Sequence, residues 1–209
     1  MRKAGQNAVS SRRVLMDMPE DFEHLLILAR QGDEDAFASI WRTFQPGLIR
    51  YLRVIGGQAA DDLAADTWLQ VTRKLSTFEG NDKAFRAWLY TIARHRHIDW
   101  RRQATRRRES LVEVGVLDRL PSSDDTTEKF ETTISTQEAV ALIATLPPDQ
   151  AEAVMLRTVS GLPVSVVAEI MGRPPGTVRV LCHRGLRRLA SSLEGAVPDK
   201  ASETAEVVV

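Results

Sequence analysis

The sequence predicts an all-α protein of two small helical domains joined by an acidic, flexible linker. Three observations carry this. Apolar residues recur at helical spacing along most of the 209-residue chain, and no alternating pattern of a half-buried strand emerges. Residues 106–135 hold few large apolar side chains and include Pro121-Ser122-Ser123-Asp124-Asp125-Thr126-Thr127, the composition of a linker. Charge is segregated although 28 Lys and Arg balance 28 Asp and Glu. Arg94 to Arg108 carries seven arginines against Asp99 alone, Glu109 to Glu152 carries ten acids against Arg119 and Lys129, and Arg173 to Arg188 carries five arginines and no acid. Two basic segments flanking an acidic one suit two contacts with a polyanion.

The elements follow in order. Residues 1–18 read as a disordered basic tail. Pro19, Glu20, Asp21 and Glu23 open a first helix, because proline suits a first turn and acids suit the positive end of the helix dipole. Asp33 caps a second, in which Phe37, Ile40, Trp41 and Phe44 share a face; Pro46 is expected to kink it, and Gly56-Gly57 to end it. A third, about 59–75, carries Leu63, Trp68, Leu69, Val71 and Leu75 beside Asp61, Asp62 and Asp66. After the loop 76–82 a fourth begins near Lys83 and runs into the arginines. These four form a domain spanning 19–105. A linker at 106–135, a second helical domain at 136–194 and a disordered tail at 195–209 complete the expected organisation.

At about 100° per residue, Phe85, Trp88, Leu89 and Ile92 fall on one side of the fourth helix, and Arg94, His97, Arg101 and Arg108 on the other. Such a helix can bury one face and lay cations along phosphates, with Trp88, Tyr90 and Trp100 near enough to stack on bases. Trp88 is expected in the core and Trp100 is left open. In the second domain a short helix ends at Gly172, and another starts at Thr177 after Arg173-Pro174-Pro175-Gly176. Two short helices across such a turn, at 164–183, make a helix-turn-helix. Val178, Leu181, Cys182, Gly185, Leu186 and Leu189 face inward, while Arg179, Val180, His183, Arg184 and Arg187 face a major groove.

Other chemistry is poorly supported. His95 and His97 point apart on a helix and cannot share a metal, and Asp61, Asp62 and Asp66 read as an acidic surface. Cys182, the one cysteine, falls on the core face and excludes an intramolecular disulfide. No catalytic constellation, metal site or cofactor loop is evident, so no enzyme activity, metal or cofactor is expected. With no secretory h-region and no apolar run of membrane-spanning length, the expected location is the cytoplasm, without membrane insertion.

The stretch Phe85-Arg86-Ala87-Trp88-Leu89-Tyr90-Thr91-Ile92-Ala93-Arg94, followed by Ile98-Asp99 and arginines, resembles the promoter-melting segment of extracytoplasmic-function sigma factors of the sigma-70 family. Asp61-Asp62-Leu63 with Asp66-Thr67-Trp68-Leu69 resembles their polymerase-binding helix. Leu146-Pro147-Pro148-Asp149-Gln150, Ala168-Glu169-Ile170-Met171-Gly172 and Pro174-Pro175-Gly176-Thr177-Val178-Arg179 with His183-Arg184 resemble their C-terminal helix-turn-helix. The resemblance implies a sigma-2-like domain and a sigma-4-like domain in a protein that directs core RNA polymerase to promoters.

It further implies a role for each segment. Asp61, Asp62, Leu63, Asp66, Trp68 and Leu69 would dock on the clamp of the polymerase's largest subunit. Phe78, Asn81, Arg86, Trp88, Arg94, His97 and Arg101 would open and hold the −10 element. Thr177, Arg179, Val180, His183 and Arg184 would read the −35 element, with Arg187 and Arg188 on phosphates. The implied partners are core polymerase, including the flap of its second subunit, and promoter DNA as duplex and single strand. An anti-sigma factor is a further candidate, and the protein outside the holoenzyme is expected to be a monomer. Departures are Val180 and Leu181 where many members carry Ser and Arg, His95 for a frequent Asn and Pro163 for a frequent Ser; they bear on which promoter is read. Two other classes stay open: a free-standing dimeric helix-turn-helix regulator, which leaves the first domain without a task, and a nucleic-acid-processing enzyme.

Overall fold

The computed structural model describes residues 22–113 and 134–195, and among them there are helices and no strand. Eight α-helices follow in order: α1 (Phe22–Arg30), α2 (Glu34–Gly56), α3 (Ala60–Lys74), α4 (Asp82–Glu113), α5 (Ile134–Ala144), α6 (Pro148–Val154), α7 (Val164–Met171) and α8 (Pro175–Gly195). The expected tail at 1–18, the helix-opening Pro19-Glu20-Asp21, most of the expected linker and all of the expected tail at 195–209 except Gly195, which ends α8, lie outside the described residues.

Local chemistry sets most boundaries. Asp33 takes an extended backbone and its Oδ1 accepts from the Ala36 N–H at 2.8 Å, which starts α2. Gly57, at φ 58°, ends that helix in a conformation a side chain resists. Pro46 lies inside α2, and the apolar stripe continues past it through Leu48, Tyr51 and Leu52, as expected. The helix runs on through it, and the Pro46 carbonyl accepts from Arg50 Nε. Burial of Phe44, Leu48, Tyr51 and Leu52 on both sides of the proline holds the helix against the one lost backbone bond. The helix α4 also continues to Glu113, past the expected linker start at 106.

The first four helices enclose an aromatic core. Phe85 has no exposed surface and lies within 5.0–5.7 Å of Phe22, Phe44, Phe78 and Trp88, ring centre to ring centre. Ile40, Leu48, Leu52, Val71 and Leu89 complete it. In the second unit α6 and α8 pack so closely that a Cβ on Gly185 would come within 2.8 Å of Val154 Cγ2. Gly172, at φ 62°, closes α7 and begins the turn to α8. The recognition helix starts at Pro175, two residues before the expected Thr177, because proline is preorganised for a first turn.

The two units do not sit apart as beads on a tether. The turns of α5 and α6 pack on α2, α7 packs on α4, and the buried apolar residues of both units form one continuous cluster.

Candidate functional site

Three surfaces carry the expected functional residues. On α3, Asp61, Asp62, Asp66 and Leu69 are exposed, with Leu69 at 49%. Leu63 and Trp68, expected to meet a partner there, instead lie in the core at 2% and 6% exposure. The reason is that α3 packs between α2 and α4. Trp68 meets Phe37 edge-on and donates its indole N–H to Gln45 Oε1 at 2.6 Å. The exposed side of α3 therefore carries three carboxylates in its first half, then Leu69, with Arg73 and Lys74 in the last turn.

The second surface is the start of α4 with its preceding loop. Asn81 caps the helix, its Oδ1 accepting from the Ala84 N–H at 3.1 Å. Replacing it with Ala is expected to cost about 1 kcal/mol, read by chemical denaturation, and Asp should restore most of it. Phe78 folds back to stack on Trp88 at 4.7 Å, and both rings are part-buried. Trp88, expected in the core, packs against it while staying part-buried.

His97 departs from the wheel. It turns toward the end of α2, where a Cβ on Gly56 would come within 3.6 Å of its Nδ1, and it is only 7% exposed. Burial, then the cations of Arg101 and Arg94, lower its pKa from the ordinary 6.5 to about 4. It is neutral near pH 7 and cannot offer phosphates a charge. Between pH 6.5 and 4 the unfolded chain takes up a proton that the folded chain refuses, so stability falls on acidification through that window. The full difference is roughly 3 kcal/mol. Denaturation midpoints of the His97→Phe variant should lose that part of the pH dependence; an unchanged profile would assign it elsewhere. Trp100, left open by the sequence, stacks on His97 at 6.0 Å and is 41% exposed.

Arg86 and Arg94 are both engaged. The Arg86 guanidinium lies 5.4 Å over the Phe44 ring, and its Nη1 donates to the Ser160 carbonyl at 3.5 Å. Arg94 Nε donates to Glu152 Oε1 at 2.8 Å. The same oxygen accepts from the buried Tyr51 hydroxyl at 3.0 Å. Burial and the Glu152 charge push the Tyr51 phenol well above its usual range, so it stays a donor. Tyr51, Glu152 and Ser160 went unseen in the sequence. No periodicity links residues 101 positions apart, and Glu152 reads there only as one acid among many.

The third surface is α8. Thr177, Arg179, Val180, His183, Arg184, Arg187 and Arg188 are all exposed, while Val178, Cys182 and Gly185 face α6. Cys182 donates to the Ala153 carbonyl at 3.4 Å, and burial raises its pKa, as suits an inert core thiol. Arg188 donates to Gln150 Oε1 at 3.0 Å, and Arg173 pairs with Asp149 at 2.9 Å, tying the turn and the helix to α6. Arg184, Arg187 and Arg188 border an open groove with Thr145, Leu146 and Pro147. Among the described residues no helix is long and apolar enough to cross a membrane.

Comparison with known proteins matches these surfaces to named regions. Residues 40–107 match the family description Sigma-70 region 2, and residues 136–189 match Sigma-70, region 4. The chain is 32% identical over 192 residues to the ECF RNA polymerase sigma factor SigD of Mycobacterium tuberculosis, covering 85% of this chain and 86% of that protein. It is also 32% identical over 179 residues to the ECF RNA polymerase sigma factor BldN of Streptomyces coelicolor; that match covers 83% of this chain but spans 64% of the longer relative. Among solved structures, the sigma factor RpoE in complex with the anti-sigma factor NepR from Bartonella quintana superposes with a TM-score of 0.56 at 26% identity, covering 77% of this chain and 98% of that one.

Proposed function

Since the chain belongs to the extracytoplasmic-function RNA polymerase sigma factors of the sigma-70 family, we propose that it binds core RNA polymerase through α3 and brings it to promoters read by α4 and α8. The observation that carries this is the pairing of two separate cationic surfaces with an acidic one. Asp61, Asp62 and Asp66 lie exposed with Leu69 on α3, a patch suited to a basic protein surface that also offers an apolar contact. The helix α4 carries Arg86, Arg94 and Arg101 along its length and the Phe78–Trp88 stack at its start, cations and aromatic faces of the kinds a separated strand uses. Exposed Arg179, Val180, His183 and Arg184 on α8 suit base edges of the −35 element, with Arg187 and Arg188 on phosphates.

In this reading the two domains divide the work. Duplex reading by α8 places the enzyme, and trapping of unstacked bases beside α4 offsets the few kcal/mol that opening each step costs. A partner of the kind seen with the RpoE relative, an anti-sigma factor, would compete for these same surfaces. A cytoplasmic location follows from work on polymerase.

Run-off transcription tests the proposal, using purified core polymerase with and without the protein on a pool of promoter fragments. Discrete new starts that appear only with the protein are expected. No new starts and no binding to core, with duplex binding by the protein alone, would instead assign a free-standing regulator.

A further inference from the structure

The open groove between α8 and the turn that joins α5 to α6 has a volume of about 730 Å³, and Arg184, Arg187 and Arg188 line it together with Ser191 and Ser192. Ser191 follows those arginines at helical spacing, so the four side chains share one face of α8. We propose that Ser191 is a phosphorylation site for an arginine-directed serine kinase, and that its phosphate seats in this groove and withdraws Arg187 and Arg188 from DNA. The effect on DNA rests on the assignment of those two arginines to phosphates; the seat itself does not.

The run Arg187-Arg188-Leu189-Ala190-Ser191 sets two arginines one turn before the hydroxyl. A kinase whose substrate groove carries carboxylates selects that charge pattern. The same pair precedes Thr105 and, among side chains outside the described ones, Ser110. Access sets Ser191 apart from Thr105. A kinase takes its substrate as an extended strand, so the acceptor has to leave its helix. Thr105 lies well inside α4, which runs to Glu113, whereas α8 ends at Gly195, one turn past Ser191. Ala190, Ser191, Ser192 and Leu193 are all exposed, Leu193 at 57%, so no described side chain after Leu189 packs the helix down. The Ser191 hydroxyl donates only to the Arg187 carbonyl, at 3.2 Å. Fraying of such an end costs little.

The phosphoryl donor is ATP. Ser191 Oγ attacks the γ-phosphorus, the bond to the β-phosphate oxygen breaks, ADP leaves, and the hydroxyl proton passes to the kinase's catalytic aspartate. The product carries a charge of about −1.5 to −2 near pH 7 and three strong acceptor oxygens. At the end of a helix that charge opposes the dipole. Here Arg187 and Arg188 one turn back, and Arg184 two turns back, offer charge-assisted hydrogen bonds that outweigh it. Among the described contacts the Arg184 and Arg187 guanidiniums hold no ion pair, and Arg188 donates to the neutral Gln150 Oε1. The phosphate can therefore take them without breaking a salt bridge, and each guanidinium it holds is lost to the duplex.

The test begins on the full chain with an arginine-directed serine kinase and ATP. Phosphopeptide mapping should place phosphate on Ser191, and the same phosphopeptide should persist in Ser192→Ala and vanish in Ser191→Ala. A chain that takes no phosphate on Ser191 overturns the acceptor. A chain made with genetically encoded phosphoserine at 191 then tests the seat without any kinase. Its phosphorus resonance should titrate about one pH unit or more below the value of about 6 for a free phosphoserine, and the added pair Arg184→Ala and Arg187→Ala should restore that value. A midpoint that stays at the free value overturns the seat. In holoenzyme the phosphorylated chain should bind intact and scrambled −35 fragments about tenfold more weakly alike, with a salt slope smaller by about two, one for each guanidinium withdrawn. Unchanged affinity and slope overturn the withdrawal of Arg187 and Arg188. Failure of the underlying assignment looks different: Arg187→Ala would then leave the slope of the unphosphorylated chain unchanged, while the phosphorus midpoint still reports the seat.

Discussion

Replacing Phe85 by Ala is expected to lower the stability of the folded chain by about 3–5 kcal/mol, the range for emptying a large aromatic site in a core. The position justifies the upper part of that range. Phe85 is completely buried, and four rings rest on it: Phe22 from α1, Phe44 from α2, Phe78 from the loop and Trp88 one turn along α4. These come from three helices and a loop, so no single shift can close the hole. The loss also reaches the site, because Phe78 holds its stack on Trp88 while leaning on Phe85. Urea denaturation followed by tryptophan fluorescence measures it. A loss below about 1 kcal/mol would mean that the aromatic cluster is far looser than its ring spacings imply. Trp100→Ala is the natural contrast, since that ring is 41% exposed and rests on His97 alone among the aromatic contacts described.

Much of this arrangement is legible in the sequence because it rests on local rules. The spacing of Phe37, Ile40 and Phe44, the capping Asp33 and the breaks at Gly57 and Gly172 act over a few residues, and each predicted feature recurs in the structure. The inward and outward faces of α8 are legible for the same reason, as α8 buries one stripe only; the exception is Leu186, which lies at the margin of the inward face and is 44% exposed. The expectations that failed depend on what packs from a distance. Leu63 and Trp68 share a helix with an exposed acidic stripe, and only the neighbours α2 and α4 decide that they point inward.

His97 shows the same limit more sharply. On a wheel it belongs with Arg94 and Arg101, and a helix packed on one side would leave all three wet. In the fold the C-terminal end of α2 reaches that flank of α4, and the imidazole lies against it beside Gly56. Glu152, Tyr51 and Ser160 are beyond sequence reasoning altogether, because their importance lies in a meeting of distant helices. The charge segregation that suggested two polyanion contacts contains no hint that one acid from the second unit would answer an arginine of the first.

The largest functional effect is expected from α8. Alanine at Arg179 or at Arg184 should each weaken promoter-dependent binding by the holoenzyme by about 1–3 kcal/mol, and the double variant by roughly the sum, on the order of a hundredfold or more. Both side chains are exposed and lie on the free side of a helix whose other side is fixed by Val178, Cys182 and Gly185 against α6. Neither takes part in the described ion pairs or hydrogen bonds. Their loss should therefore remove contacts to DNA without a folding penalty, and the thermal midpoint should not move. Arg187→Ala makes the necessary comparison. As a phosphate contact it should weaken binding alike on intact and scrambled −35 sequences, and reduce the salt slope by about one. Arg179 and Arg184 should instead erase the difference between those two fragments. Val180, 46% exposed between them, offers an apolar contact suited to a thymine methyl, so Val180→Ser should change which sequence is preferred more than how tightly it is held. Titrations of holoenzyme at two salt concentrations on both fragments measure all of these. A double variant that still favours the intact −35 fragment would move base reading off this face of α8, and with it the reason for the helix's exposed arginines.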